Sequence, residues 1–190
     1  QAGFMLVGLA AWMRPGGQQA DSLAAVLVYL LAYVFTNLGA FAVVIAVDDD
    51  HGSSEVSAYA GLMRRSPLLA VALAVFFLSL LGIPPLAGFI GKFTVFRAAV
   101  TGNQVGLAVI GVLTGVISVG YYFRVLREAF LRPAAEGAGR LVVAPGLRMV
   151  IVSALVMTLL IGLFAGPFLD FAAGAAASIA PIAARLPGGS

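Results

Sequence analysis

The sequence predicts an all-α integral membrane protein, a polytopic bundle of transmembrane helices in which one helix is broken by proline. Three observations predict it. Of 190 residues, 62% are hydrophobic and 10% charged, whereas a soluble domain is nearer half apolar and a quarter charged. The apolar residues gather in uncharged runs long enough to cross a bilayer, and the mean hydropathy is +1.07. One such run carries Gly82, Pro84, Pro85 and Gly88 at its centre, where a helix cannot continue.

The same numbers exclude other classes. Disorder needs low hydrophobicity and high net charge. The net charge of +3 and the isoelectric point near 9.7 hint at nucleic acid, but the basic residues are scattered between apolar runs and form no stripe for phosphates. Cysteine is absent and His51 is the single histidine. That removes disulfides, thiolate-held iron–sulfur clusters and haem between paired histidines.

Residues 1–13 are apolar from the first position. A helix of that length rises about 20 Å, short of the roughly 30 Å hydrocarbon core. No basic segment precedes it and no small-residue cleavage site follows, so it does not read as a signal peptide. It reads as the end of a span that begins upstream, which makes the chain the C-terminal piece of a longer protein.

Residues 22–47 are uncharged, with Asp21 and Ser22 as capping residues before them and Asp48, Asp49 and Asp50 closing them. The loop 48–65 is expected to hold a short surface helix, capped by Ser53 or Ser54 and ended by Arg64 and Arg65 at the negative end of its dipole. Residues 66–100 would measure about 50 Å as one helix, too long for a straight span, yet they are too few for two crossings. Proline removes a donor and clashes with the preceding turn, and freed backbone groups are tolerated only inside protein or beside water. The stretch therefore reads as one discontinuous span.

Residues 98–123 form the uncharged core of the next span, which extends over about 103–131 and ends in Arg124, Arg127 and Arg132. The last clear span is 149–169, about 147–170 with its flanks, ending at Pro167 and Asp170. The Ala-rich segment 171–184 is either a helical extension or an interfacial piece. A single crossing by 66–100 places Arg64, Arg65, Arg124, Arg127, Arg132, Arg140 and Arg148 on one side, against Arg14, Arg97 and Arg185. Two crossings would divide them more evenly. The positive-inside bias favours the single crossing, with loops 48–65 and 124–148 in the cytoplasm and the C-terminus outside.

Lys92 is the residue that stands out. It is the only lysine, inside an apolar segment just after the proline break. A lysine at mid-bilayer costs about 2.5–3.5 kcal/mol on insertion scales, which marks it as functional by default. Snorkelling to the headgroups suits Arg97 better, five residues nearer the segment's end. Desolvation disfavours a lysine's charged form, so a lysine placed there is suited to taking and releasing a proton. Gly91-Lys92 is no phosphate loop, because Leu86 and Phe93 occupy its Gly and Ser/Thr positions.

Tyr29, Tyr33 and Asn37 recur at four-residue spacing on one face of 22–47, with Thr36 nearby, and mark a possible polar axis turned inward. Asp48, Asp49, Asp50, His51 and Glu55 read as a solvated loop rather than a metal site. Gly102/Gly106, Gly111/Gly115 and Gly162/Gly166 are spaced for close helix packing. Glu128 reads as an ion pair with Arg124 and Arg127 at a helix end.

The phrases QAGFMLVGLA, YLLAYVFTNLGAFAVV, YAGLMRRSPLLA, LSLLGIPPLAGFIGKFTVFRAAV and YYFRVLREAF resemble the antiporter-like subunit N of bacterial NADH-quinone oxidoreductase, respiratory complex I. The resemblance runs from residue 1 to about 131 and is most specific at 78–100. Subunit M tends to carry Glu where Lys92 stands, and subunit L a Ser-Lys-Asp phrase. The Mrp-type cation/proton antiporter subunits are similar enough to compete, and a structural membrane module without an ion pathway is the alternative from another class. The resemblance implies proton translocation coupled to quinone reduction in other subunits, with Lys92 in a chain of buried ionisable groups. It implies membrane-arm subunits and the lipid bilayer as partners, no nucleic acid, and location in the bacterial inner membrane. It implies no cofactor in this chain: NAD, FMN, iron–sulfur clusters and quinone belong to other subunits, and this piece alone is not expected to pump.

Overall fold

A computed structural model describes residues 1–13, 19–53, 55–134 and 138–183. The described residues form α1 (Ala2–Trp12), α2 (Gln19–His51), a 3-10 helix (Val56–Tyr59), α3 (Leu62–Arg65), α4 (Pro67–Leu81), α5 (Ala87–Thr101), α6 (Val105–Leu131), α7 (Pro145–Leu163) and α8 (Ala165–Ala183). Helices α2, α6 and α7 are long and apolar enough to cross a membrane, and α1, α4 and the Ala165–Ile179 part of α8 are shorter apolar helices. The fold is the all-α membrane bundle with one interrupted helix.

Helix α2 is the post around which the rest is arranged, touching α1, α4, α5, α7 and α8. Its C-terminal half meets α4, with Gly39 under the Phe76 ring and Thr36 beside Ser79. Its N-terminal half meets α5, where Gly91 lies against Tyr29. The order of these contacts runs α4 and α5 end to end along α2 and antiparallel to it. Each half-helix has 15 residues and so rises only about 22 Å, too little to cross alone. Together they make one discontinuous crossing.

The sequence dictates where the interruption falls. Pro67 opens α4 at its first turn, where a missing N–H costs nothing. Gly82 ends it at φ 87°, a left-handed conformation that glycine adopts without strain, and its N–H bonds back to Leu78 and Ser79. Pro84 and Pro85 follow, joined by a cis peptide. Helix α5 then starts at Ala87.

Three buried clusters stack along the bundle. One end holds Val43, Val47, Leu69, Leu73, Phe76 and Ile151. The other holds Phe4, Ala25, Tyr29 and Val95. Between them Ala32, Ala87 and Ile161 meet beside the break.

Several expectations need correction. Helix α2 starts before Asp21 and runs through Asp48, Asp49 and Asp50 to His51. Solvated carboxylates do not stop a hydrogen-bonded ladder; Gly52 does, at φ 66°. The span expected over 149–169 is interrupted at Phe164, and Asp170 lies inside α8. Pro167 explains this, because its ring opposes the carbonyl of Leu163 four residues back. The segment 171–183 continues as α8.

The short surface helix in 48–65 is two pieces, the 3-10 helix and the single turn α3. Glu55 precedes the first piece, and Ser53 accepts the Glu55 N–H from outside it; Ser54 lies outside the described residues. Burial, and then the Asp48 carboxylate, push the Tyr59 hydroxyl above its ordinary pKa. Arg65 is buried and ties the region together: it pairs with Asp50, and its Nε donates to the Gly139 carbonyl at 3.2 Å. Glu128 pairs with Arg127 at 3.6 Å and Arg132 at 3.7 Å rather than with Arg124.

The glycine pairs do not act as pairs. Gly102 faces Ala11 and Gly111 faces Phe96, while Gly106, Gly115 and Gly166 face open space. Gly162 is the critical one, because a Cβ there would strike the Pro85 carbonyl and the Leu86 backbone. Backbone cannot swing aside as a side-chain tip can. Gly162→Ala is therefore expected to destabilise by about 1–3 kcal/mol, whereas Gly166→Ala is expected to be neutral. Thermal unfolding of the two variants in membrane extracts checks the difference.

Candidate functional site

The helix interruption creates the site. The last carbonyls of α4 have no continuing turn to receive them, and the first N–H groups of α5 have no preceding turn to bond to. In an apolar bundle each such group must find another partner.

Lys92, one turn and a half into α5, supplies the carbonyls. Its side chain passes over Gly82, which has no Cβ to obstruct it. Its Nζ donates to the Leu80 carbonyl at 2.8 Å and to the Leu81 carbonyl at 3.1 Å. The lysine of one half-helix thus caps the negative end of the other, where a cation is favoured. The Phe4 ring lies 4.6 Å from Nζ and adds a cation–π contact. Lys92 is 7% exposed, and among the described residues no carboxylate pairs with it. It does not snorkel.

Ser79 supplies the N–H side. Its Oγ accepts the Gly88 N–H at 3.0 Å and lies 3.2 Å from Thr36 Oγ1 on α2. A Cβ at Gly88 would strike the Ser79 carbonyl, so that glycine is what lets the two half-helices come this close.

A second polar layer surrounds the lysine. Gln1 Nε2 donates at 3.1 Å to the same Leu80 carbonyl that holds Lys92. Tyr29 donates to Gln1 Oε1 at 2.7 Å, and its ring stacks on Tyr33 with centroids 6.4 Å apart. Asn37 Nδ2 donates to the Tyr33 hydroxyl at 3.2 Å. A cavity of about 10 Å³ lies between Gln1, Tyr29, Tyr33, Thr36, Ser79 and Lys92, roughly the room one water needs. On its other side Lys92 borders an apolar groove of about 350 Å³ lined by Phe4, Phe93, Phe96 and Val116.

The sequence-predicted residues fall as follows. Gly82, Pro84, Pro85 and Gly88 form or flank the interruption, and Lys92 sits at its centre. Tyr33 lines the cavity beside Lys92, and Asn37 joins through Tyr33. Arg97 is exposed, in a separate cleft of about 730 Å³ that Asp21, Thr94 and Asp170 also line. Sequence reasoning missed Gln1, Phe4 and Ser79. Ser79, a hydroxyl in the otherwise apolar α4, is a signal that was there to be used; Gln1 and Phe4 give none, because only folding brings α1 to the break.

A polytopic α-helical membrane protein with a buried cation seated on a broken helix is the class that fold and site define. The chain belongs to the family described as NADH:quinone oxidoreductase/Mrp antiporter, transmembrane, which matches residues 1–118. NADH-quinone oxidoreductase subunit N 2 of Symbiobacterium thermophilum is 44% identical over 177 residues, covering 93% of this chain and 34% of the relative. Subunit N of Moorella thermoacetica is 39% identical over 176 residues, 93% of this chain and 36% of the relative. The resemblance to subunit N is thus upheld, and the chain spans about a third of the length of these relatives. A chain of respiratory complex I from Thermus thermophilus superposes with TM-score 0.66 at 30% identity, over 89% of this chain and 43% of that one. A chain of the Mrp complex from Dietzia sp. superposes with TM-score 0.79 at 22% identity, over 92% of this chain and 40% of that one, a likeness of fold alone.

Removing the Ser79 hydroxyl leaves the Gly88 N–H without its acceptor, as the loss of a helix cap does. Ser79→Ala is expected to cost about 0.5–2 kcal/mol, with Ser79→Thr restoring part of it. Thermal stability of the assembled protein checks both.

Proposed function

We propose that this chain is part of a proton-translocating, non-redox membrane subunit of an NADH:quinone oxidoreductase, with Lys92 as a proton carrier. The observation that carries the reading is the seat of Lys92. A buried ammonium rests on two carbonyls of an interrupted helix, with a cavity the size of about one water on one side and no carboxylate partner among the described residues. A lysine bound this way can lose its proton without breaking an ion pair, and the Tyr33, Thr36 and Ser79 side chains border the small cavity beside it. The matching family covers both kinds of protein, and the relatives named subunit N, at 39–44% identity, support the oxidoreductase over an Mrp-type antiporter, whose solved chain is like this one in fold.

Neighbouring membrane-arm subunits are the proposed partners. The iron–sulfur chemistry is assigned to other subunits, since these 190 residues hold no cysteine and a single histidine; the NADH, flavin and quinone chemistry is assigned there on the likeness to subunit N alone. The proposed location is the bacterial inner membrane, with loops 48–65 and 124–148 in the cytoplasm and the C-terminus outside.

Two experiments test this. In inverted vesicles carrying the assembled complex, Lys92→Met is expected to lower NADH-driven acidification and quinone reductase rate together, and Lys92→Arg, which can hold the carbonyls but cannot give up its charge, is expected to assemble without restoring acidification. An assembled Met variant that pumps normally would falsify the carrier role. For sidedness, the chain has no cysteine of its own. Ser53→Cys is expected to react with an impermeant maleimide from the cytoplasmic side and Asn103→Cys from the outside; the reverse pattern inverts the proposed topology.

A further inference from the structure

The Leu80 carbonyl has two donors where one would satisfy it: Lys92 Nζ at 2.8 Å and Gln1 Nε2 at 3.1 Å. A carbonyl oxygen has two lone pairs and can accept both. The Leu81 carbonyl receives only Lys92 from the site's side chains. Gln1 has a second anchor, since its Oε1 accepts the Tyr29 hydroxyl at 2.7 Å. That bond orients the amide: the oxygen is held toward Tyr29 and the NH2 group is left facing Leu80. Tyr29 is itself fixed, 3% exposed and packed against Tyr33, Phe4 and the bare backbone of Gly91.

We propose that Gln1 is a place-holder for Lys92, keeping the Leu80 carbonyl hydrogen-bonded when the lysine leaves its seat, and that Tyr29 sets the orientation in which Gln1 does so. This rests on the reading of Lys92 as a carrier, because a carrier must leave. On losing its proton the amine loses its charge-assisted bonds and its attraction to the Phe4 ring. What then resists departure is the cost of a bare carbonyl in an apolar interior. Gln1 removes that cost for Leu80, so only the Leu81 carbonyl is exposed by the movement. Gln1 and Tyr29 are positioning residues: neither holds the transferred proton.

The sign of the effect separates this role from simple packing. If Gln1 only fills space, removing it loosens the site and exposes the lysine. If Gln1 is a place-holder, removing it traps the lysine, because leaving would strand Leu80. The experiment is reductive methylation of Lys92 by formaldehyde and a borane reagent in the assembled complex in native membranes, read by mass spectrometry of the peptide carrying residue 92. Gln1→Leu is expected to slow methylation by about tenfold, the scale of one stranded carbonyl. Tyr29→Phe, which keeps the ring and its stacking, is expected to slow it by a smaller factor. Ser153→Ala, on the exposed face of α7 and away from the site, is expected to leave the rate unchanged. Methylation that is equal to or faster than that of the unsubstituted protein in Gln1→Leu overturns the proposal, and where that variant fails to assemble, the same outcome in Tyr29→Phe does so. The result is independent of pumping. Slower methylation alongside normal pumping by Lys92→Met would uphold the place-holder and defeat the carrier reading.

Discussion

Everything at the centre of this bundle follows from one constraint: a backbone interrupted in an apolar medium must have its polar groups satisfied by something else. Gly82 and the two prolines end α4 early, and the carbonyls of Leu80 and Leu81 then need donors. Lys92 and Gln1 provide them on one side of the gap, and Ser79 receives the Gly88 N–H on the other. The close approach of Gly162 to the Pro85 carbonyl walls off the third side with helix rather than water. The break is therefore a small polar site built by five elements, α1, α2, α4, α5 and α7. It is not a defect in one of them.

That constraint also explains the unequal packing of the helices. Helix α2 must touch both half-helices, so Gly39 and Gly91 occur where Phe76 and Tyr29 need room. Helix α6 touches the site only along its edge and exposes Val109, Ile110, Leu113, Val116 and Ile117, an apolar face suited to lipid or to another helix. The strongest tether outside the apolar layers is Arg65, which joins the end of α2 through Asp50 to the loop at Gly139 and Leu141. Its burial makes it unlike Arg64 beside it, which is exposed.

Much of this is legible in the sequence because the signals are large. Uncharged runs mark α2, α6 and α7, and a lysine next to two prolines in apolar surroundings marks the site. Boundaries are less legible. Three aspartates look like an end, yet α2 runs past them to Gly52, because solvent pays no penalty for keeping carboxylates hydrated on a helix. Pro167 is visible, but its effect falls on the turn before it, which moves the break to Phe164. The partners of Lys92 are the least legible part. Leu80 and Leu81 bind through their carbonyls, which no side-chain pattern reveals, and Gln1 and Phe4 arrive from an element distant in sequence.

The identity of residue 92 can be weighed against its two tasks. As a cap for two carbonyls, a permanent cation is better, and arginine keeps its charge under all ordinary conditions. As a carrier, a residue must be able to give the charge up, and lysine can when it is desolvated. Among the described residues this cap has no carboxylate partner, so its hold rests on the two carbonyls and the Phe4 ring. Among the described residues every arginine but Arg65 is exposed, and Arg65 is paired with Asp50, whereas the single lysine is buried at the break. On the proposed reading, the distribution of the two residue types follows the distinction between charges that only hold structure and a charge that can be given up.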